Sequence, residues 1–556
     1  MDIFDRTISD VPFKILKEKE HHLAPLTSID LKHLEAFPGC VRLKHSSART
    51  VYYLTNEQIL LKIFRPVTFF DKVRFSLFSS KAQLEFEAML FAQAQQLATS
   101  TPIGFGIDVS KKSYLWIEAI PEVQPLDRLF AERYAFSNRS ERNEVLQELA
   151  LLIVQMHQCG ILHPDFHAGN ILWSEKRKKA WVIDLYQYKK NRTLERKPCL
   201  HNLVIFNRVF QLKASRTDRL RFFCAYTSLW NSAYYKESHQ TLSVPDQTLR
   251  KHECLWLEKH TSVSNLQFWK QRERRCQKEN KYFGRIASQG YTGFAKKNPN
   301  QGTFELSPEV LKKILELLQT PGKFPPEASW IKEKSRTTRV LKIATGEQIY
   351  YVKQYLPQSL GYQFKSLWRT SRARKAWLLG YRLLTRGLFT GEPVLVLEKK
   401  RFGLLLDSIL VIKEIPEFQS ILLSESPDKR KQELEKIAKY FRQFHDRGFS
   451  HRDLKGPNLL WGKEGLYFLD LDGVKNSPPS PKIRCRDLGR FIYWLKEESS
   501  SKQLSFEEIE NFVQTYLYSL PALISIAKEQ YYFQRIQQYL QKKSKQRQKK
   551  LKGRAS

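Results

Sequence analysis

The chain carries two copies of one long pattern, and this duplication constrains its fold more than any other feature. The segment GILHPDFHAGNILW (Gly160–Trp173) returns as GFSHRDLKGPNLLW (Gly448–Trp461). Earlier in each copy, IEAIPEVQ (Ile117–Gln124) returns as IKEIPEFQ (Ile412–Gln419), in the same order and at nearly the same offset. Two ordered matches indicate a tandem duplication of a unit of roughly 250–290 residues, which is large enough to fold as a domain.

Each copy contains the same order of predicted elements. An alternating apolar run with a polar turn (TNEQ or ATGEQ) predicts a β-hairpin that carries a lysine, Lys62 or Lys353. A helix-period segment, a strand, the IPE segment and a long amphipathic helix follow. The His-x-Asp loop comes next, and then a short strand pair that ends in an aspartate. This order predicts an α+β fold of two tandem bilobal domains, each with a β-rich first lobe and a helical second lobe.

The domain boundary is predicted to lie between the last helices of the first copy and the lysine hairpin of the second. We expect one domain over residues 1–264 and another over residues 265–556, with a basic C-terminal tail. Two stretches are candidates for the linker, the polar Glu273–Gly293 and the proline-rich Thr320–Ser329.

The chain is strongly basic, with a formal net charge of +36 over 556 residues. The charge is concentrated in the tail Lys542–Arg554 and in Lys270–Arg275, and it favours an anionic partner such as nucleic acid, a lipid headgroup or a phosphorylated glycan. No nucleic-acid recognition motif supports the first of these. The N-terminus does not fit a secretory signal, and no apolar run is long enough for a transmembrane helix. The 7 cysteines lack CxxC spacing, which favours reduced cytosolic thiols.

The repeated histidines raise the question of a metal site. His157, His163 and His167 are spaced as a zinc triad would be, but the second copy has Lys455 where His167 stands in the first. An ammonium group cannot ligate zinc, so the repeated pattern disfavours a zinc centre.

Phosphoryl transfer requires a different set of residues, and both copies supply it. The reaction uses a lysine for the α/β phosphates, a carboxylate near the acceptor hydroxyl, and an amide and a second carboxylate for Mg²⁺. The candidates, in the order in which a kinase places them, are Lys62, Asp165, Asn170 and Asp184 in the first copy and Lys353, Asp453, Asn458 and Asp470 in the second.

With these residues the chain resembles the protein-kinase-like superfamily, and within it the lipopolysaccharide core kinases of the Kdo/WaaP type. Further points of resemblance are SRTTRV before the second lysine hairpin, SRARKAW…GLFTGEPV (Ser371–Val394), and catalytic loops that lack a peptide-docking insertion. The resemblance implies a kinase that phosphorylates a sugar hydroxyl of the inner core, Kdo or heptose, from Mg-ATP. It also implies a cytoplasmic location, peripheral at the inner face of the cell membrane, with an anionic glycolipid substrate and an anionic membrane surface as partners.

The resemblance also implies a role for each residue. Asp165 and Asp453 would be the bases that position the sugar hydroxyl, and Lys455 would steady the γ-phosphate. Mg²⁺ would be held by Asn170 and Asp184 in the first copy and by Asn458 and Asp470 in the second. Lys62 and Lys353 would hold the α/β phosphates of ATP, and Glu85, with Glu87 as its close rival, would pair with Lys62. The segments at Ile120 and Ile415 would be hinges that face adenine.

The sequence departs from the kinase pattern in several places. Neither copy has a glycine-rich loop before its lysine, and Ala376 falls where the second copy should have the counterpart of Glu85. Asp487 is expected to brace the second catalytic loop, whereas the first copy has Asn202 there. Two alternatives stay open at this point. One is a small-molecule or atypical Ser/Thr protein kinase, and the other is a tandem kinase/pseudokinase scaffold with one inactive copy.

Overall fold

The computed structural model describes residues 2–46, 48–66, 79–132, 138–185, 189–190, 195–238, 247–299, 301–319, 327–333, 335, 337–346, 348–356, 367–421, 423–497, 504–518 and 526–555. The chain divides into two compact units, Met1–Leu266 and Gln267–Ser556. Each unit is an α+β, kinase-like body in which an antiparallel sheet precedes a set of helices.

The strands of the first unit are β1 (Ile3–Ile8), β2 (Val11–Leu16), β3 (Cys40–His45), β4 (Arg49–Leu54), β5 (Ile59–Phe64), β6 (Pro102–Ile107), β7 (Ser113–Glu118), β8 (Gln124–Pro125), β9 (Ile161–Leu162), β10 (Ile171–Ser174), β11 (Lys179–Val182) and β12 (Lys189–Lys190). Those of the second unit are β13 (Phe283–Ser288), β14 (Tyr291–Lys296), β15 (Ala328–Lys332), β16 (Thr338–Thr345), β17 (Gln348–Tyr355), β18 (Pro393–Arg401), β19 (Leu404–Lys413), β20 (Gln419–Ser420), β21 (Phe449–His451), β22 (Leu459–Gly462), β23 (Gly465–Phe468) and β24 (Val474–Asn476).

The helices of the first unit are α1 (Lys81–Ala94), α2 (Leu126–Glu132), α3 (Arg139–Gln158), α4 (Arg196–Lys213), α5 (Arg216–Ser238) and α6 (Gln247–Glu273), the last of which runs into the second unit. The remaining helices are α7 (Pro308–Gln319), α8 (Arg372–Thr385), α9 (Pro427–Asp446), α10 (Pro481–Glu497), α11 (Phe506–Tyr518) and α12 (Ile526–Ala555). The basic tail predicted from the sequence continues α12.

The large sheets of the two units have the same topology within the described residues. The strand order is β1-β2-β6-β7-β5-β4-β3 in the first unit and β13-β14-β18-β19-β17-β16-β15 in the second. The duplication read from the sequence is therefore a duplication of the whole β-lobe, down to the order of its strands.

The lysine hairpins form as the alternation predicts. Val51 pairs with Lys62 across β4 and β5, and Val340 pairs with Lys353 across β16 and β17. Gln58 in the first turn and Gly346 in the second have positive φ angles of 57° and 61°. Each lysine thus stands on a central strand of its sheet, and the pairing on both sides fixes its position.

The polar stretch Glu273–Gly293, considered above as a linker, is instead part of the second unit. It contains the end of α6, β13 and the start of β14, whose hairpin turns at Gln289 and Gly290 with positive φ. The period-two alternation in FGRIAS and YTGFAK signals this hairpin, but polar residues around it dominate the composition. Most of the other candidate, Thr320–Ser329, lies outside the described residues.

The helical lobes pack around buried aromatic cores. In the second unit the fully buried side chains of Trp377, Phe441 and Tyr516 join α8, α9 and α11 to the strands of the catalytic loop. In the first unit the buried side chains of Trp173 and Phe206 pack in the same way with residues of α3 and α4. Burial of such large rings fixes the loops that they support, because each contributes on the order of 2–3 kcal/mol relative to exposure.

The seven cysteines all fall within the described residues and form no disulfide, which agrees with the expectation of reduced thiols. Of the helices in the described part of the chain, none has the length and hydropathy needed to cross a membrane.

Candidate active site

In both units the His-x-Asp motif forms a loop that its own histidine holds in place. The backbone N–H of Asp165 donates to Nδ1 of His163 at 3.2 Å, and that of Asp453 donates to Nδ1 of His451, also at 3.2 Å. The other ring nitrogen, Nε2, bonds the carbonyl of the residue before the second aspartate, at 3.3 Å and 3.0 Å respectively. Burial lowers the pKa of both histidines, so the rings are neutral and tie the two acidic positions together.

The asparagine of each motif closes the same loop. The Nδ2 group of Asn170 donates to the backbone carbonyl of Asp165 at 2.9 Å, and that of Asn458 donates to the carbonyl of Asp453 at 2.8 Å. The backbone carbonyl of each asparagine accepts from the N–H of the residue before the second aspartate, at 3.0 Å and 2.9 Å. The structure therefore brings the three predicted positions of each copy into one cluster.

The second aspartate of each cluster has an unusual backbone. Asp184 has a φ of 61° and Asp470 a φ of 48°, both in the left-handed region. Aspartate tolerates this region better than most residues, but the same outlier at matching positions of two copies indicates a constrained functional turn.

The lysine of the first unit is part of a buried ion cluster. Lys62 Nζ lies 2.5 Å from Glu85 Oε1 and 2.7 Å from Asp184 Oδ1. Arg49 Nη1 binds the other oxygen, Asp184 Oδ2, at 3.0 Å. Burial alone would raise the pKa of Asp184, but Lys62 and Arg49 outweigh it and hold that pKa well below its usual range. Both carboxylate oxygens of Asp184 thus contact cationic side chains of the protein.

The lysine of the second unit has a more open setting. Ala376 stands five residues after the α8 N-cap Ser371, where Glu85 stands five residues after the α1 N-cap Ser80. Among the described residues, no carboxylate of α8 forms an ion pair with Lys353. The Nζ atom of Lys353 lies 3.8 Å from Asp470 Oδ1. The side chain of Asp470 is 50% exposed, compared with 14% for Asp184.

Helix α8 has its own connection to the site in place of a glutamate. Arg372, in its first turn, binds Asp472 Oδ2 at 2.6 Å, two residues after Asp470. The guanidinium also lies 4.7 Å from the centre of the Tyr355 ring, next to the lysine strand. The helix is therefore tied to the turn that carries Asp470 rather than to Lys353.

The two candidate bases have different surroundings. Asp453 Oδ2 lies 2.9 Å from Lys455 Nζ, and its Oδ1 lies 3.1 Å from Arg490 Nε. Desolvation raises the pKa of Asp453, but the bonds from Lys455 and Arg490 outweigh it and lower the pKa below its usual value. In the first unit His167 stands 3.5 Å from Asp165, and Ile205 occupies the helix position of Arg490. Among the described residues, two strong cations contact the candidate base of the second unit, whereas His167 is the basic side chain at that of the first.

A cavity of about 220 Å³ opens between the lobes of the second unit. Its walls are mostly apolar and include Val340, Leu460 and the predicted hinge residue Ile415, with Lys353 and Asp470 at its polar side. An apolar slot with a few charged groups on one side fits a flat base joined to a polyphosphate.

The predicted hinges are similar turns in the two units. Ile120 follows β7 and is half-buried, whereas Ile415 follows β19 and is buried. The glutamate of each IPE segment has a positive φ, 57° at Glu122 and 51° at Glu417.

Each catalytic loop is braced from below as predicted. The fully buried Asp487 accepts the backbone N–H of His451 at 2.8 Å. Asn202 reverses the polarity of this contact, because its Nδ2 group donates to the backbone carbonyl of His163 at 2.7 Å. The asparagine is therefore a true counterpart of the aspartate, but it fixes the loop through a different backbone atom.

The three histidines considered as a zinc triad have separate partners. His157 bonds the Tyr226 hydroxyl at 2.9 Å and Asn202 at 3.2 Å. His163 accepts the backbone N–H of Asp165 in the catalytic loop, and His167 accepts the Gly169 N–H at 3.0 Å. Among the described residues, no group of three potential ligands is arranged around a common point.

Acidification is expected to destabilise the first unit through His157. Burial lowers its pKa from 6.5 to about 4, so between these pH values the unfolded chain binds more protons than the folded one. The stabilisation is complete above pH 6.5 and is lost as the pH falls towards 4. At pH 5 the loss should be about 2 kcal/mol. Urea unfolding at pH 7 and pH 5 should show a smaller pH effect in His157→Gln than in the wild type.

The control for this experiment is the exposed His33, whose ring bonds Asp30 at the surface. His33→Gln should retain the full pH dependence of the wild type. An identical pH effect in His157→Gln and the wild type would contradict the prediction.

Three contacts of the site escape sequence reasoning. Arg49 and Arg490 were not among the predicted residues, and neither was the pair Arg372–Asp472. Arg490 has a usable signal, because it lies one helical turn after the brace Asp487. Arg49 gives no such signal, since it is the first residue of β4 and an arginine at a strand end usually faces water.

Comparison with known proteins places the site in a family context. A sequence model described as the lipopolysaccharide kinase (Kdo/WaaP) family matches the chain twice, over residues 46–226 and 326–516. A solved structure of WaaP in complex with acyl carrier protein is 15% identical to the chain, with a TM-score of 0.33, and the match covers 45% of this chain and 98% of that one. The Cydia pomonella granulovirus kinase PK-1 is 19% identical, with a TM-score of 0.21, and the match covers 27% of this chain and 52% of that one. The search of curated proteins gives no match.

Proposed function

The chain belongs to the lipopolysaccharide kinase (Kdo/WaaP) family, and from this membership we propose that its second unit phosphorylates a sugar hydroxyl of the lipopolysaccharide inner core, Kdo or heptose, with Mg-ATP as donor. Membership makes the chain a phosphotransferase with an alcohol group as acceptor. The donor, the acceptor sugar and the unit that performs the reaction are our proposal.

The observation that carries the proposal is the environment of Asp453. Two cations, Lys455 and Arg490, bond its carboxylate, and the His451 ring links its backbone to the carbonyl of Leu469, the residue before Asp470. A carboxylate with a lowered pKa is ionised at neutral pH and accepts a hydrogen bond from an acceptor hydroxyl. The adjacent cations compensate the negative charge of the phosphoryl group that is transferred.

Magnesium fits the donor set of the second unit. The half-exposed carboxylate of Asp470 contacts one cation at 3.8 Å, and the amide of Asn458 stands in the same loop cluster. Hard oxygen donors of these two kinds are those that Mg²⁺ prefers. When bound, the ion would neutralise negative charge on the phosphates of ATP. In the first unit Arg49 and Lys62 occupy both oxygens of Asp184, and this donor set does not fit a metal.

The reaction follows from these positions. Asp453 orients the sugar hydroxyl and accepts its proton, while the hydroxyl oxygen forms a bond to the γ-phosphorus of ATP. The bond between the γ-phosphorus and its bridging oxygen breaks, and ADP leaves. Lys353 holds the α/β phosphates, and Lys455 with Arg490 faces the transferred group. The hinge at Ile415 borders the cavity where adenine would lie.

In this proposal the first unit does not catalyse phosphoryl transfer and acts as a supporting domain for the second unit. It retains Lys62, Glu85, Asp165 and Asn170, but Arg49 bonds the carboxylate of Asp184, and within the described part of this unit the basic side chain at Asp165 is His167. This favours the tandem kinase/pseudokinase arrangement among the alternatives raised from the sequence. The basic charge of +36 and the proposed glycolipid acceptor support a location at the inner face of the cell membrane, on the cytoplasmic side where ATP is available.

A panel of acceptors tests the proposed function. Purified enzyme receives γ-labelled ATP with Mg²⁺ or with a chelator, and dephosphorylated core glycans that carry Kdo alone or Kdo with heptose. A generic protein substrate and an aminoglycoside represent the two alternative acceptor classes. We expect metal-dependent label in a core glycan and none in the other two. Label in the protein or the aminoglycoside, with none in the glycans, would overturn the assignment.

A further inference from the structure

The β18–β19 hairpin of the second unit extends beyond its counterpart in the first. Strand β18 has 9 residues, whereas the equivalent β6 has 6. The pairs Pro393–Ile412 and Pro102–Ile117 mark the same base in the two sheets, so the extra length lies at the tip. From this base the second hairpin has four more residues in all, about two in each arm, which lengthens it by roughly 7 Å. The tip of the second hairpin therefore projects from the body of its lobe.

The tip carries an aromatic residue in a costly conformation. Phe402 and Gly403 form a two-residue turn with φ angles of 51° and 79°. Such turns favour asparagine followed by glycine, and a bulky residue with positive φ is an outlier. The side chain of Phe402 is 89% exposed, so packing inside the lobe does not compensate for the strain. A strained and exposed phenylalanine indicates a partner outside the unit.

A second exposed aromatic lies beside the tip. Leu367 approaches the turn, with its Cδ2 atom 3.0 Å from the place that a Cβ on Gly403 would take. The next residue, Trp368, is 84% exposed. Leu367, Trp368 and Phe402 thus form one projecting apolar group, which we call the aromatic tip. Exposed apolar groups of this kind mark interaction sites.

The surroundings of the aromatic tip are basic. Arg401 lies over the ring of Phe402 at 5.5 Å, and Lys400 and Arg369 are exposed next to the turn. Two acids lie further down the hairpin: the buried Glu398 bonds Lys400 at 3.2 Å, and Asp407, opposite Lys399, accepts hydrogen bonds from Tyr291 and Gln354. Tryptophan and phenylalanine enter the headgroup region of a bilayer, and arginine and lysine bind anionic lipid headgroups.

We propose that the aromatic tip, Leu367, Trp368 and Phe402 with Arg369, Lys400 and Arg401 around it, inserts into an anionic membrane surface. The proposal rests on the proposed function in one respect, because it gives the glycolipid kinase a membrane contact on the sheet that carries Lys353. The tip is part of that sheet through β19, which pairs with the lysine strand β17. The equivalent hairpin in the described part of the first unit ends in a different turn, where Asp108 accepts bonds from Ser110, Lys112 and Tyr114.

Vesicle binding by the full chain tests the proposal. Wild type, the double variant Trp368→Ser/Phe402→Ser and the control Val109→Ser are mixed with phosphatidylglycerol vesicles or with phosphatidylcholine vesicles and sedimented. Val109 is the matched control, because it is 100% exposed at the tip of the shorter hairpin. We expect wild type and the control to bind phosphatidylglycerol equally, and the double variant to bind at least about tenfold more weakly. All three should retain the same unfolding temperature, since the changed side chains are exposed.

Three outcomes would overturn the proposal: binding by the double variant equal to that of the wild type, no wild-type binding to either vesicle, or equal wild-type binding to both lipids. A parallel assay on a soluble, deacylated core glycan separates this proposal from the proposed function. The double variant should phosphorylate that glycan at the wild-type rate. If the wild type labels no glycan, the proposed function fails, and the vesicle result still decides the role of the tip.

Discussion

Asp470→Asn is expected to lower the rate of phosphoryl transfer about a thousandfold, whereas Asp184→Asn should leave most of the rate in place. Asparagine keeps the shape of each side chain but removes the negative charge. Asp470 is half-exposed, and among the described residues the one cation that forms an ion pair with it is Lys353, at 3.8 Å. Asp184 is largely buried and already bonds two cations of the protein. The measurement is initial rate on a core glycan, with ATP affinity determined separately without metal.

The paired variant gives a second readout, because Asp184→Asn should act on stability instead. It leaves the buried Lys62 and Arg49 with the single carboxylate of Glu85, and the excess positive charge should cost on the order of 2 kcal/mol. Urea unfolding should show this loss for Asp184→Asn. A large rate loss in Asp184→Asn with little effect in Asp470→Asn would move the reaction centre to the first unit.

The second large effect is expected at the brace beneath the catalytic loop. Asp487→Ala removes a fully buried carboxylate that bonds the His451 backbone, the His445 ring and Arg486. The loss of these bonds leaves a buried N–H and a guanidinium without their partner, which should cost about 3–5 kcal/mol. The loop that carries Asp453 loses its support, so the transfer rate should fall as well. Chemical unfolding and initial rates measure the two effects.

Asn202→Ala is the matched control for the brace. Asn202 supports the His163 carbonyl in the first unit, so its loss should lower stability there but leave transfer close to the wild-type rate. Asp487→Asn should be milder than Asp487→Ala, since an amide oxygen still accepts the His451 N–H. Equal rate losses in Asn202→Ala and Asp487→Ala would contradict the assignment of the reaction to the second unit.

Local patterns made most of the fold predictable. Alternating apolar and polar residues around a polar turn predict the hairpins that carry Lys62 and Lys353. The helical period of the apolar residues predicts the long helices. The repeat doubles this information, because a loop seen twice with Asp and Asn at the same spacing is hard to explain by chance. The stretch that contains the β13–β14 hairpin was one of two candidates for the linker, because polar residues surround its two six-residue strands and dominate the composition.

The contacts that distinguish the two units were beyond the sequence. Arg49 meets Asp184 across 135 positions of the chain, and Arg490 meets Asp453 across 37. Contacts of this kind depend on how sheet and helices pack, and no local pattern encodes them. The absence of a helix glutamate at Ala376 was visible, and it left two possibilities, a different way of orienting Lys353 or a weaker second site. The geometry favours the first, because Arg372 ties α8 to Asp472 and Asp470 stays accessible.

The central claim is that the second unit transfers phosphate to the inner core, and one labelling experiment tests it most directly. γ-Labelled Mg-ATP and purified, dephosphorylated lipopolysaccharide are incubated with wild type, Asp165→Asn, Asp453→Asn and the double variant, after ATP binding has been verified for each. The account predicts label in the glycan with wild type and Asp165→Asn, and none with Asp453→Asn or the double variant. Label that persists in Asp453→Asn, or no label with a wild type that binds ATP, would contradict it.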